Sequence, residues 1–143
     1  MRAAAALALA TGCGVRRAPN VVLVSIDTLR ADHLRSYGYA RDTSPEIDRL
    51  AAHGVRYAHA YVPASWTLPS HVSLFTSQPP SRHSVRDDRI ALPPRATTLA
   101  ELLSAAGYST AGFVSWVYVG AAYGLGQGFD VYRERLRALG HAP

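Results

Sequence analysis

The feature that most constrains the fold of this chain is a short apolar run that ends on an acidic residue. Residues 20–32 read NVVLVSIDTLRAD, and valine, leucine and isoleucine fill every position from 21 to 26 except Ser25. A run rich in β-branched residues is typical of a strand buried on both faces, as in parallel α/β sheets. We therefore predict a central strand over residues 21–26.

Asp27 follows this predicted strand directly. Open α/β sheets bind ligands beyond the carboxyl ends of their strands. A carboxylate at that place suits a hard cation, or it caps a helix without taking part in chemistry. The run by itself leaves both roles open.

Strand and helix patterns alternate after residue 20, which indicates an α/β fold with a mostly parallel sheet flanked by helices. Ser44-Pro45 predicts the start of a helix, and Gly54 predicts its end. Residues 55–62 favour a returning strand because they contain two tyrosines and β-branched ends. Residues 78–94 hold four prolines with little periodicity, and we predict a long surface loop there.

The clearest helix pattern begins at Thr98, which has capping-box spacing with Glu101. The apolar residues that follow recur with helical spacing and predict a core-facing stripe. Gly107 closes this pattern, and residues 108–114 then predict another strand. The stripe consists of Leu99, Leu102, Leu103 and Ala106.

The N-terminus predicts an export signal over residues 1–18. Arg2 precedes an apolar run at residues 3–10, and Thr11-Gly12-Cys13 follows. This order is similar to a bacterial secretion signal that ends in a lipoprotein box with Cys13 as the lipidated residue. The run is shorter than the roughly 20 residues that span a bilayer. We expect a periplasmic protein or a lipoprotein attached to the membrane through Cys13, and the alternative is an alanine-rich terminus from a misassigned start codon.

The basic charge of the chain does not favour a nucleic-acid partner. The formal net charge is +5, and all 15 basic residues are arginine. They are scattered along the chain and form no stripe with interleaved aromatic residues, so we interpret them as a solvated surface. The single cysteine excludes an intrachain disulfide.

Six segments in order carry a family resemblance. They are VSIDTLRADHL at 24–34, YGY at 37–39, TSPEIDRLAAHGV at 43–55, SWTLPSHVSLFTS at 65–77, TTLAELLSAAGYSTAGFVS at 97–115 and GLGQGFDVY at 124–132. Together they resemble the sulfatase family of the alkaline phosphatase superfamily. The resemblance implies that residues 19–143 are the N-terminal part of a sulfatase-like α/β domain, since complete members are several times longer.

The resemblance places Thr67 at the position of the nucleophile. In true sulfatases this residue is a cysteine or serine that is oxidised to formylglycine, and threonine cannot be converted because its β-carbon carries a methyl group. His71 stands where the family motif has arginine. We therefore expect no formylglycine. A threonine hydroxyl can still attack an ester if a cation lowers its pKa, and the alternative is a capping role for Thr67.

The same resemblance implies a divalent metal ion, calcium, magnesium or zinc, with Asp27 as a ligand. Many sulfatases have a second aspartate where this chain has Thr28, so we take Asp27 and Thr28 as the metal positions. His71 either donates to an ester oxygen of the substrate or is a satisfied polar residue on a helix. Trp116 lacks the flanking lysine and histidine that are usual in the family. The remaining metal ligands would lie beyond Pro143.

The sequence therefore predicts part of a hydrolase that cleaves an anionic sulfate or phosphate ester, with Thr67 and His71 as catalytic residues. We expect this chain alone to be inactive. Two alternatives remain open: a catalytically silent, surface-anchored relative that binds anionic glycans or another protein, and a truncated product without function.

Overall fold

The computed structural model describes residues 18–135. The four α-helices of this part are α1 (Pro45–His53), α2 (Thr67–Thr76), α3 (Pro80–His83) and α4 (Leu99–Ala105), and its two strands are β1 (Ala111–Val114) and β2 (Val131–Glu134). Single 3-10 turns lie at Ala31–His33, Arg35–Tyr37, Val117–Val119 and Ala121–Tyr123. Cys13 and nearly all of the predicted export signal lie outside the described residues.

The two strands form a parallel sheet, with Ala111 opposite Val131 and Val114 opposite Glu134. Thr110 fixes this register just before β1 begins. Its backbone N–H donates to Asp130 Oδ2 at 2.8 Å, and its hydroxyl donates to the carbonyl of Gly128 at 2.9 Å. The chain is thus a partial α/β domain, as the sequence predicts, although the short strand β2 was not predicted.

The core lies around helix α2. Leu68 and Val72 of this helix are fully buried against Val85, Leu92 and Leu125. Because Leu68 directly follows the first residue of the helix, the core fixes the N-terminal end of α2 in the fold.

Two predicted helices are confirmed with their termini. Helix α1 begins at Pro45, and Gly54 follows its last residue. Helix α4 has the predicted capping box: Thr98 Oγ1 accepts from the backbone N–H of Glu101 at 3.2 Å, and the Glu101 carboxylate accepts from the N–H of Thr98 at 2.8 Å. The start of α4 is determined by local side-chain to backbone bonds, and the start of α1 by the fixed φ of Pro45, so the sequence alone identifies both.

The predicted strand over residues 21–26 is wrong. This segment is extended but belongs to no sheet among residues 18–135. The carbonyl of Ile26 accepts a hydrogen bond from the N–H of Leu29 at 3.4 Å, and this bond does not join two strands. Its apolar side chains are at least half exposed. A strand requires a hydrogen-bonded neighbour, and no described segment pairs with this one.

Residues 55–62 do not form the predicted strand either. They have no assigned secondary structure, and Val55 and Tyr61 are more than four-fifths exposed. Strand propensity reflects packing on a half-buried surface, and the described residues provide no such surface here.

Two further predictions need correction. The apolar stripe of α4 does not face the core as a whole: Leu102 and Ala106 are exposed, whereas Ala100 is buried. The predicted loop at 78–94 contains the short helix α3 and two core residues, Val85 and Leu92. Tertiary packing decides both outcomes. Ala100 approaches Gly128 closely, and Val85 and Leu92 pack in the core with residues of α2. Among residues 18–135, no helix has the length and hydropathy needed to cross a membrane.

Candidate functional site

The site begins with two residues that are 40 positions apart in the sequence. The hydroxyl of Thr67 donates a hydrogen bond to Asp27 Oδ2 at 3.0 Å. Asp27 follows the extended segment 21–26, and Thr67 is the first residue of α2. The sequence analysis assigns Asp27 to a metal and Thr67 to the nucleophile of one hydrolase, and the geometry brings the two side chains together. The catalytic and metal-binding roles of these residues stay predictions.

Helix α2 determines where the Thr67 hydroxyl lies. Thr67 is inside the first turn and is not the capping residue, because the extended residue Trp66 is the N-cap. The first backbone N–H groups of a helix lack partners within the helix, and together with the helix dipole they favour a nearby anion. The N-terminus of α2 therefore favours negative charge close to Thr67.

His71 lies one turn further along α2, and its two ring nitrogens have different partners. Nδ1 lies 2.8 Å from the carbonyl oxygen of Thr67, and a carbonyl only accepts. Nδ1 therefore carries a proton in this arrangement. Nε2 of the neutral ring then accepts from the hydroxyl of Ser25 at 2.9 Å. This tautomer leaves Nε2 as a base that can take up a second proton.

Ser25 is a site residue that the sequence analysis did not identify. It lies two positions before Asp27 in an extended segment, and residues i and i+2 of an extended chain share one face. Ser25 contacts His71 and Asp27 contacts Thr67, so both side chains face α2. The signal was present in the sequence, because Ser25 is the polar interruption of an otherwise apolar run.

Thr28, which was predicted as a metal position together with Asp27, differs from Asp27 in its relation to the cavity beside Thr67 and His71. It has φ +58°, the left-handed region that β-branched residues rarely adopt. Such a conformation costs on the order of 1–3 kcal/mol, and it persists where the surrounding structure imposes it. Thr28 is absent from the lining of the cavity that includes Asp27, Thr67 and His71.

That cavity has a volume of about 620 Å³ and a mostly apolar lining. The extended segment 21–25 lines it together with parts of α2, α4 and β1. Leu99 and Leu103 of α4 lie on its lining, so this half of the α4 stripe faces the cavity, whereas Leu102 and Ala106 are exposed.

The donor set within residues 18–135 does not by itself fit a divalent cation. No group of three or more His, Cys, Asp or Glu side chains in this range could hold a metal ion. Calcium takes about six to eight oxygen ligands, and magnesium needs about six in octahedral order. Asp27 provides one carboxylate, so a metal at this place would need ligands from outside these residues.

His83 forms a separate, buried polar contact. The N–H of Val85 donates to its Nδ1 at 3.1 Å, and Nε2 lies 3.0 Å from the hydroxyl of Ser73. That hydroxyl donates to the carbonyl of Pro69 at 2.8 Å, so His83 Nε2 is the donor in the pair. Burial lowers the pKa of His83 and favours its neutral form. The contact joins α3 to α2 and leaves Ser73 without a base to activate it.

The comparisons with known proteins all match this chain to sulfatases. The family model described as Sulfatase matches residues 19–139. Human arylsulfatase A is 40% identical over 116 residues, which are 77% of this chain and 23% of that protein. An N-acetylgalactosamine-6-O-sulfatase of Bacteroides thetaiotaomicron is 29% identical over 124 residues, covering 77% of this chain and 24% of its own length. Mouse steryl-sulfatase is 32% identical over 111 residues, covering 70% of this chain and 18% of its own length. The chain thus spans less than a quarter of the length of each of these relatives.

Proposed function

The chain belongs to the sulfatase family, and from that membership we propose that it is part of a hydrolytic domain that cleaves a sulfate or phosphate ester with Thr67 as the nucleophile. The observation that carries the proposal is the 3.0 Å hydrogen bond from the Thr67 hydroxyl to Asp27. A hydroxyl is a weak nucleophile until a base accepts its proton, and a base must lie within hydrogen-bond reach.

In the proposed reaction, Thr67 Oγ1 attacks the sulfur or phosphorus atom of the ester. Its proton passes to Asp27 Oδ2 as the new bond to Oγ1 forms. The bond between sulfur or phosphorus and the leaving oxygen breaks, and water later hydrolyses the Thr67 ester. The N-terminus of α2 favours the anionic group during both steps.

His71 is the proposed proton donor to the leaving oxygen. Nδ1 is held by the carbonyl of Thr67, which aims Nε2 away from the helix backbone and towards Ser25. Protonated at Nε2, the ring can give a proton to the departing alkoxide, so that a neutral alcohol leaves. Ser25 keeps the ring oriented before the substrate arrives.

A divalent cation, calcium, magnesium or zinc, remains part of the proposal with a limited role. Asp27 would be one of its ligands, and the other ligands would come from outside residues 18–135. When bound, such an ion would lower the pKa of a bound hydroxyl and polarise the ester. The substrate class is an anionic ester, and no nucleic-acid partner is proposed.

The location of the protein is a separate proposal. Residues 1–18 would direct export, and Cys13 would carry a lipid that attaches the protein to a membrane. The order of charged, apolar and small residues before Cys13 supports this proposal.

The test uses a complete sulfatase domain that carries this Thr-Leu-Pro-Ser-His motif, with an aryl sulfate and an aryl phosphate as substrates. We expect Asp27→Ala and Thr67→Ala each to lower kcat about 10²-fold to 10⁴-fold. The double variant should lose little more than either single one, because both residues act in one step. Thr67→Ser keeps the hydroxyl and should retain most of the turnover.

Thr76→Ala is the matched control, because Thr76 ends the same helix and its hydroxyl donates to the carbonyl of Val72. This variant should leave kcat unchanged. Wild-type turnover by Thr67→Ala would refute the nucleophile. A complete domain that binds the aryl ester without cleaving it would instead favour the silent binding relative.

A further inference from the structure

Residues 18–135 include two contacts between a serine and a histidine, and the direction of the hydrogen bond differs between them. Ser25 Oγ lies 2.9 Å from Nε2 of His71, and Ser73 Oγ lies 3.0 Å from Nε2 of His83. In the second contact the serine hydroxyl donates to the carbonyl of Pro69, so the histidine donates to the serine. In the first contact the ring proton of His71 is on Nδ1, so the serine donates to the histidine.

The contact of Ser25 with His71 has the arrangement of a nucleophile with its base. A serine hydroxyl becomes a good nucleophile when a neighbouring base accepts its proton and a third group orients that base. Nε2 of His71 is close enough to accept the proton. The carbonyl of Thr67, 2.8 Å from Nδ1, holds the ring in the required tautomer. Ser25 is exposed, whereas Ser73 is buried, so a substrate and water can reach the Ser25 hydroxyl.

Two cavities meet at this pair of residues. Ser25 and His71 line the cavity of about 620 Å³ and also a second cavity of about 350 Å³, which lies between α2 and residues 61–63. Val62, Pro63 and Leu74 give the second cavity an apolar part. Small-molecule sites have volumes of about 300–1,000 Å³. The second cavity therefore has room for a short acyl group whose carbonyl carbon lies at Ser25.

The charges around the pair favour an uncharged substrate. Within residues 18–135, no arginine lines either cavity, and Asp27 brings a negative charge to the larger one. An anionic ester would need cationic partners from outside these residues, because a desolvated charge without a partner is costly. A neutral ester needs none. The N-terminus of α2, one turn before His71, favours the negative charge that develops on its carbonyl oxygen.

We propose that Ser25 and His71 form a second reactive centre, which cleaves neutral carboxylic esters with short acyl groups. Ser25 Oγ attacks the acyl carbon, and its proton passes to Nε2 of His71. The bond from the acyl carbon to the leaving oxygen breaks, the leaving oxygen takes the proton from Nε2, and the acyl group stays on Ser25. Water then attacks the acyl carbon and gives a proton to Nε2. Ser25 Oγ leaves and recovers that proton as the carboxylic acid departs.

The first test is covalent labelling of the 143-residue chain with a serine-directed fluorophosphonate, followed by mass spectrometry of its peptides. Ser25 Oγ should displace fluoride from phosphorus, which gives one label per chain on Ser25. His71→Gln should slow the labelling about 10²-fold to 10⁴-fold, because it removes the base. Ser104→Ala is the matched control, since Ser104 is an exposed serine of α4 that lines neither cavity, and this variant should react at the wild-type rate.

The second test is turnover of a neutral aryl butyrate by the same chain. We expect the chain to release the phenol, and Ser25→Ala and His71→Gln should each lower the rate at least about 10²-fold. Circular dichroism spectra equal to that of the wild type would show that the variants are folded. The position of the label is read in the unsubstituted chain, so it stands even if a variant fails to fold.

Thr67→Ala separates this proposal from the proposed function. Alanine removes the hydroxyl but keeps the backbone carbonyl that orients His71, so the label on Ser25 should persist whether or not Thr67 is a nucleophile. Three results would overturn the proposal: no label, a label on Ser73 or another residue in place of Ser25, or equal labelling rates in the wild type and His71→Gln. Aryl butyrate turnover that survives Ser25→Ala would overturn it as well.

Discussion

Replacing Thr98 with valine should destabilise the chain by more than a helix cap alone accounts for. The Thr98 side chain is buried, and its hydroxyl has two partners: it accepts from the N–H of Glu101 at 3.2 Å and donates to the carbonyl of Gln127 at 3.0 Å. Valine keeps the shape of the side chain and removes both hydrogen bonds. Thr98 thus joins the start of α4 to the loop before β2.

The magnitude follows from these two contacts. Loss of the cap costs about 1 kcal/mol. The carbonyl of the half-buried residue Gln127 also loses this hydrogen bond, and an ordinary hydrogen bond contributes about 0.5–1.5 kcal/mol. We therefore expect the free energy of unfolding to fall by about 1.5–2.5 kcal/mol, the sum of the two contributions.

The assay is urea denaturation followed by circular dichroism, with the free energy taken from the midpoint at a common m-value. Thr97→Val is the matched control, because Thr97 is the exposed neighbour and should change the free energy by less than about 0.5 kcal/mol. Equal midpoints for the Thr97 and Thr98 variants would refute the reasoning.

Three other outcomes are expected. The purified 143-residue chain, loaded with calcium, magnesium or zinc, should not hydrolyse an aryl sulfate, because no group of three or more His, Cys, Asp or Glu side chains among residues 18–135 can hold the ion; robust turnover would contradict this. Stability should fall as the pH drops below about 6.5, the ordinary pKa of histidine, because burial lowers the pKa of His83 in the folded state and the unfolded chain takes up the proton first; His83→Gln should reduce this dependence in pH-resolved urea denaturation, and an unchanged slope would count against it. Residues 1–18 fused to a reporter should direct it to the envelope of a bacterial host with Cys13 acylated; fatty-acid labelling that persists in Cys13→Ser would reject lipidation, and a cytoplasmic reporter would reject export.

Features that depend on neighbouring residues could be predicted from the sequence. The capping box at Thr98 forms its bonds within one helical turn, and Pro45 fixes its own φ at the start of α1, so both act whatever surrounds them. The order of the motifs was enough to predict the family and a partial α/β domain, which the Sulfatase family model confirms.

The contact of Asp27 with Thr67 was predictable in outline for a different reason. One residue follows an extended segment and the other begins a helix, and in α/β folds such positions meet at one edge of the sheet. The tautomer of His71 and its contact with Ser25 were not predictable, since they depend on how far α2 lies from the segment 21–26.

The apolar run at 21–26 marks the limit of sequence reasoning for this protein. Its composition determined that the segment is extended and that Ser25 and Asp27 share a face. Only the tertiary structure decided that it pairs with no strand of residues 18–135, because pairing depends on backbone groups from elsewhere in the fold. In the same way, local hydrogen bonds determined where α4 begins, while the close approach of Gly128 decided which side of that helix is buried.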